Sequence, residues 1–182
     1  MDSAKIVLLE KMLPEMIKNG DRILIFSQFV IMLDILEDVF NLMKIKFQRL
    51  DGSTPGSERL QLIDKFNDTA VPVFLLSTKA CGLGINLTTA NTVILYDIDF
   101  NPHNDIQAED RAHRVGQTKT VKVYRLIVQD TIEQHMLQCA NYKLLLDLKV
   151  QDISGAINTL SIKDGEDDSI LELLKQDLKS VY

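Results

Sequence analysis

Apolar positions along this chain follow two rhythms. Five short runs read as strands: Arg22-Ile-Leu-Ile-Phe26, Lys46-Phe-Gln-Arg-Leu50, Val73-Phe-Leu-Leu-Ser77, Thr92-Val-Ile-Leu-Tyr96 and Val121-Lys-Val-Tyr-Arg-Leu-Ile127. Between them the pattern lengthens to helical spacing, which predicts helices near 28–44, 55–67 and 103–115. Apolar strands alternating with helices need cover on both faces. The expected fold is therefore α/β, a mostly parallel sheet with helices on both sides. An opening helix spans about Ser3 to Asn19, with Gly20 as its stop and Pro14 expected to break or kink it. After the last strand, Asp130-Thr-Ile-Glu133 has the form of a capping box opening a long helix, with Ile132, Met136, Ala140 and Leu144 as its stripe. Residues 150–168 are polar and read as a linker. Ser169-Ile-Leu-Glu172 opens a short amphipathic helix with Ile170, Leu174, Leu178 and Val181 on one side. That helix either packs back on the body or docks elsewhere in a larger protein. The expected organisation is a body over 1–150 and an acidic, partly helical extension over 151–182.

Composition narrows the class. With 182 residues, 46% apolar and 25% charged, the chain can bury one substantial core. No run approaches the roughly 20 apolar residues of a membrane span, and the N-terminus lacks a signal pattern, so no membrane partner is expected. Cys81 and Cys139 have no ligand-like spacing, which points to a reducing setting without disulfide or zinc. A net charge of −6 argues against a simple nucleic-acid binder. Most of it, however, sits in Asp164, Glu166, Asp167, Asp168, Glu172 and Asp177, set against Lys175 and Lys179. The remaining, nearly neutral body can still hold phosphates through backbone N–H groups and helix N-termini. Weak DNA binding by the chain alone is the expectation.

Ligands of open α/β sheets bind beyond the carboxyl ends of the strands. Four strand ends here carry polar or turn-forming residues: Ser27-Gln28, Asp51-Gly-Ser-Thr-Pro55, Ser77-Thr-Lys-Ala-Cys-Gly-Leu-Gly-Ile-Asn86 and Asp97-Ile-Asp-Phe-Asn-Pro102. Each has an ordinary structural explanation. Thr54 with Pro55, and Asn101 with Pro102, are good N-cap and N1 pairs, and Gly82 and Gly84 can supply a turn. Four on one edge suggest a long ligand-binding rim suited to phosphates.

On the helix predicted over 103–115, Gln107, Asp110, Arg111 and Arg114 share one face and Ala108, Ala112 and Val115 the opposite one. The small alanines press on a neighbour, so the polar face, with two arginines one turn apart, is aimed outward. Two readings stand on spacing alone. One is an Asp110–Arg114 surface pair beside a solvated Arg111. The other is a pair of arginines reaching for a transferring phosphoryl group. The chain contains no Gly-x-x-x-x-Gly-Lys-Ser/Thr loop and no Asp-Glu pair ending a buried strand. Such arginines would then serve a phosphate site supplied from elsewhere.

These residues resemble a family. Gln107-Ala-Glu-Asp-Arg-Ala-His-Arg-Val-Gly-Gln117 resembles motif VI of SWI/SNF-type ATPases, within the superfamily-two helicases. Ser77 to Leu87 is similar to motif V, Arg22 to Phe29 to motif IV, and Arg49-Leu-Asp-Gly-Ser-Thr54 to the motif just after it. All four occur in the family's order across roughly 3–150. Tyr96 to Asp105 and Ser57 to Asn67 further resemble the SWI/SNF-related, matrix-associated, actin-dependent regulator of chromatin subfamily A containing DEAD/H box. The resemblance implies the second, RecA-like lobe of a nuclear, ATP-dependent DNA translocase that remodels nucleosomes, with a link to DNA repair. It implies Arg111 and Arg114 as arginine fingers, Gln107 at the nucleotide–DNA junction, and Gly82 and Gly84 along the nucleotide cleft. It places Ser27, Gln28, Gly52, Ser53, Thr78 and Lys79 on the phosphates of one DNA strand, and makes the helix from Thr131 a brace between two lobes. ATP with magnesium would be bound mainly by the first lobe. This chain alone would be monomeric and without ATP hydrolysis. Cys81 stands where the family usually has glycine. The competing readings are a lobe of another superfamily-two motor, such as an RNA helicase, and a protein-docking module built on the acidic tail and the 169–181 helix.

Overall fold

The computed structural model describes residues 3–83, 85–114 and 116–160. The chain divides into two units, 1–143 and 144–182. The first unit contains a five-stranded sheet of β1 (Ile23–Ser27), β2 (Phe47–Leu50), β3 (Val73–Ser77), β4 (Thr92–Leu95) and β5 (Lys122–Arg125), in the order β2-β3-β1-β4-β5. Every pairing is parallel, and Ile25 of β1 stands beside both Leu75 of β3 and Ile94 of β4. All five expected strands are present, trimmed only at their ends.

Alternate residues of the central strands feed two separate cores, as the period of two along a strand requires. On one face Ile23, Ile25, Val73, Leu75 and Ile94 pack with Ile6, Leu9 and Leu13 of α1 (Ala4–Lys18) and Leu33, Leu36, Val39 and Phe40 of α2 (Val30–Leu42). On the other, Leu24, Phe26, Phe74, Leu76, Val93 and Leu95 pack with Ile63 and Phe66 of α3 (Gly56–Asp68) and with Ala108 of α4 (Pro102–Glu109). The fold is the expected parallel sheet covered on both sides. Its chain path reverses direction across the sheet at β1, whose neighbours are β3 and β4. Such a switch point opens a crevice at the strands' carboxyl ends.

Several local expectations change. Pro14 does not break α1. It sits on the exposed side, where water can take the Glu10 carbonyl that proline leaves unpaired, while the buried Ile6–Leu9–Leu13 face holds the helix. Asn101 caps α4 as expected, accepting the His103 N–H at 3.2 Å with Pro102 at N1. Thr54 does not cap α3. Pro55 holds that position, and the Thr54 hydroxyl turns back to accept the Asp51 N–H at 3.1 Å. The helix α4 stops at Glu109, well short of 115.

The helix α5 (Ile132–Leu160) is longer than expected and continues through the start of the proposed linker. Its cap is shifted by one residue. Thr131 Oγ1 accepts the Glu133 N–H, and Gln134 reaches back to the Asp130 N–H at 3.0 Å. Glu133 turns inward instead, accepting the Val128 N–H and pairing with the buried Lys5 at 2.5 Å. Ile132, expected on the apolar stripe, is 66% exposed. Gly84, Val115, the acidic tail and the 169–181 helix lie outside the described residues.

Candidate functional site

A small cleft of about 220 Å³ opens at the switch point, lined by Gln28, Thr78, Lys79, Asp99, Asn104 and Gln107. The fold thus brings together the ends of β1, β3 and β4 with two turns of α4. Gln28, Thr78, Lys79 and Gln107, distant in sequence, share one opening. Gly52 and Ser53 do not line it, because β2 is the edge strand beyond β3.

The cleft's shape is set by carboxylates rather than by its own lining. Asp97, just past β4, accepts the Ser27 hydroxyl at 2.5 Å and the Gln28 N–H at 2.8 Å. Burial pushes the Asp97 carboxyl above its ordinary pKa, and these two donors with nearby Lys5 only partly offset it. Gln28 then donates its side-chain N–H to the Ile98 carbonyl at 2.6 Å, tying β1 to the β4 loop. Ser27 is fully buried with its hydroxyl committed to Asp97, so it shapes the rim and is not presented to a phosphate in this conformation.

Asp99 accepts the Asn101 N–H and the Asn104 amide, both within the loop that opens α4. Below it, Asp105 is buried and accepts the Asp99 N–H in two long 3.3 Å bonds. Burial lifts the Asp105 pKa to about 6, with the Asp99 charge adding to the lift and the Asp99 N–H opposing it. A carboxylate raised from an unfolded value of about 3.9 is best tolerated neutral, so its stabilising contribution is complete below pH 4 and is lost as pH rises through 6. Asp105→Asn, which keeps the acceptor oxygen, should therefore raise the unfolding free energy by roughly 1–2 kcal/mol at pH 8, with no gain at pH 4. Urea unfolding at the two pH values checks this, and an equal effect at both would refute it.

The loop after β2 is built separately. Asp51, 2% exposed, accepts the Ser53 hydroxyl and N–H and the Arg49 guanidinium. Burial would raise its pKa, but the Ser53 hydroxyl and Arg49 outweigh burial and hold it below the usual range. Arg49 also meets Asp34 and Glu37 of α2. Gly52 is exposed at the loop tip and Ser53's hydroxyl faces Asp51.

Two polar groups stand out for lacking partners. Thr78 Oγ1, at the mouth of the cleft, is buried without a hydrogen bond. Arg111 is only 8% exposed, its Nε has no partner, and among the described residues it makes no ion pair. Arg111 does not line the cleft. It lies beyond the end of α4, where its carbonyl accepts the Leu87 N–H at 3.1 Å. The expected outward face of two arginines one helical turn apart is not what forms. The chain leaves helix geometry at Asp110, Arg111 turns in, and Arg114 remains exposed. The surface neighbour of this region is a Glu109–Arg125 pair at 2.6 Å. Gly82 sits in the 3-10 turn Thr78–Leu83 that leads away from β3.

Residues 4–116 match the model of the helicase conserved C-terminal domain. The chain belongs to this family. The lobe is 52% identical to ATP-dependent helicase fft3 of Schizosaccharomyces pombe, over 92% of this chain and 18% of that protein. It is 57% identical to the human SWI/SNF-related matrix-associated actin-dependent regulator of chromatin subfamily A containing DEAD/H box 1, over 81% of this chain and 14% of that protein. A solved structure of the C-terminal part of the Fun30 ATPase domain superposes with a TM-score of 0.74 at 52% identity, covering 77% of this chain and 46% of that one. This helicase lobe thus spans less than a fifth of those two full-length relatives. Among the described residues, no helix is long and apolar enough to cross a membrane.

The site of this helicase lobe gives roles to residues that the sequence placed in its rim and motifs without assigning them one. Asp97, Asp99 and Asn104 build the cleft, and Gln117 buttresses the Arg111 turn. One signal was available for Asp97: an acid two residues past a fully buried strand must find donors near the strand's end.

Proposed function

We propose that this chain is the second lobe of a nuclear, DNA-dependent ATPase that translocates along duplex DNA and remodels nucleosomes. The observation that carries the reading is Arg111. A largely buried guanidinium whose Nε lacks a partner, and which makes no ion pair among the described residues, is ready to take an anion. The γ-phosphate of ATP, held with magnesium on a first lobe that supplies the phosphate loop, is such an anion. Arg114, exposed in the same turn, would be the second finger, and the family resemblance would put Gly82 and Gly84 along the nucleotide cleft. Lobe closure would bring the arginines to the phosphate, and reopening would step this lobe along one strand.

The cleft serves that strand. Gln28, Thr78 and Lys79, with Gly52 at the tip of the loop after β2, would take its phosphates; Ser53 would join them only on release from Asp51, and Gln107 would stand between the DNA and nucleotide sides. Among the described lining residues Lys79 is the one cation and Asp99 opposes it. Hydrogen bonding rather than charge would dominate, which suits weak, sequence-independent contacts by a moving motor. The reading is tested by measuring ATP turnover of this chain and of a protein carrying both lobes, with no nucleic acid, duplex DNA or RNA. The expected result is no turnover by the lobe alone and strong stimulation of the two-lobe protein by duplex DNA. Stimulation by RNA matching or exceeding that by DNA would favour an RNA helicase and overturn the proposal.

A further inference from the structure

Beyond Glu109 the helical ladder thins, although the His113 N–H still reaches the Glu109 carbonyl at 3.3 Å. The Arg111 and Ala112 N–H groups reach back only three residues, to Ala108 and Glu109. Two further contacts hold the turn from outside it. The Leu87 N–H meets the Arg111 carbonyl, and the Gln117 side chain closes the turn from its far end. Gln117 Nε2 shares its two hydrogens among the carbonyls of Ala90 at 2.7 Å, Thr88 at 2.9 Å and Ala112 at 3.2 Å. Its Oε1 accepts the Lys119 N–H at 2.9 Å. Three carbonyls on one side and an N–H on the other leave the amide a single sensible orientation. Gly116 makes the approach possible, since its φ of +105° turns the chain back in a conformation that side chains resist.

The surface that Gln117 grips is itself anchored. The Asn91 side chain accepts the Arg22 N–H and donates to Asp21, and the Asn91 and Thr92 N–H groups meet the Arg22 carbonyl. The segment 87–91 is thereby fastened to the start of β1. Gln117 couples the arginine turn to that fixed reference, with the Arg111 backbone bonded to the same segment.

We propose that Gln117 is a positioning residue for Arg111. It touches no substrate, and it sets where the guanidinium stands when the lobes close. The proposal rests on Arg111 acting on the phosphate, and its test separates the two ideas. In the two-lobe protein, kcat, KM for ATP and the thermal midpoint are measured for Gln117→Ala, Arg111→Ala and the double variant. Gln117→Ala should lower kcat by ~10- to 100-fold, the cost of misplacing a catalytic group by about an ångström, with KM changed less than about twofold. In the Arg111→Ala background it should cost no further turnover, while any loss of thermal midpoint persists there. A purely structural glutamine would lower the midpoint and cost turnover equally in both backgrounds. That result, or wild-type kcat in Gln117→Ala beside a disabled Arg111→Ala, overturns the positioning role alone. Wild-type kcat in Arg111→Ala overturns the finger assignment and this inference with it. Should Gln117→Ala fail to fold, Gln117→Glu, of equal size but without the N–H donors, must show the same loss at pH 8 and the same dependence on Arg111.

Discussion

Replacing Arg111 with methionine in a protein that carries both lobes should cut ATP turnover by roughly 10³-fold or more, while the thermal midpoint stays level or rises. The two halves of this expectation have one cause. Arg111 is 8% exposed, its Nε has no partner and it makes no ion pair among the described residues, so the folded lobe carries the cost of one buried, unmet donor on a cation. An apolar chain of similar length removes that cost and keeps the packing of the aliphatic stem. The catalytic half follows from charge on the transferring phosphoryl group, which only a cation in place can neutralise. Arg111→Lys should restore little, because a compact ammonium cannot reproduce the planar fork. Arg114→Ala, in the same turn, should also lose turnover. Steady-state ATPase assays and thermal unfolding on the same preparations decide the matter. A methionine variant that loses several degrees of midpoint along with turnover would show the guanidinium to be structural.

How much of this was legible beforehand depends on which residues are asked. The sheet was plain because β1 and β3 are buried on both faces and so lack any polar alternation. The end of α4 was not. Residues 107–115 keep helical spacing with no glycine or proline before Gly116, and nothing local stops the helix at Glu109. The stop is tertiary, made by the Leu87 N–H and the Gln117 amide seizing carbonyls of the turn. That one difference moves Arg111 from an outward face to a buried position. The rim was legible in composition but not in presentation. Strand ends announced Ser27 and Ser53, yet both hydroxyls answer to aspartates, Asp97 and Asp51, whose pairing depends on sheet order. Likewise the Asp130-Thr-Ile-Glu133 pattern located α5, while its glutamate was claimed by Lys5, 128 residues earlier in the chain.

Asp97→Ala should lower the stability of the lobe by about 2–4 kcal/mol and weaken its coupling to DNA, the second large effect expected here. The carboxylate is the shared acceptor for the Ser27 hydroxyl and the Gln28 N–H, and it lies near Lys5, which bonds the Tyr96 carbonyl at 2.8 Å and pairs with Glu133 at the start of α5. Removing it strands the buried Ser27 hydroxyl and the Gln28 N–H and takes a negative charge from the neighbourhood of Lys5. Asp97→Asn should cost less, about 1 kcal/mol, because one oxygen still accepts and the carboxyl is already pushed toward neutrality by burial. The functional consequence runs through Gln28. Once its backbone is released, its side chain no longer has a fixed reach to the Ile98 carbonyl, and the cleft between the β1 and β3 ends loses one wall. At a temperature where Asp97→Asn remains folded, the DNA concentration giving half-maximal ATPase stimulation should rise several-fold with little change in the maximal rate. A fall in the maximal rate at unchanged DNA dependence would instead assign Asp97 to the nucleotide side of the lobe.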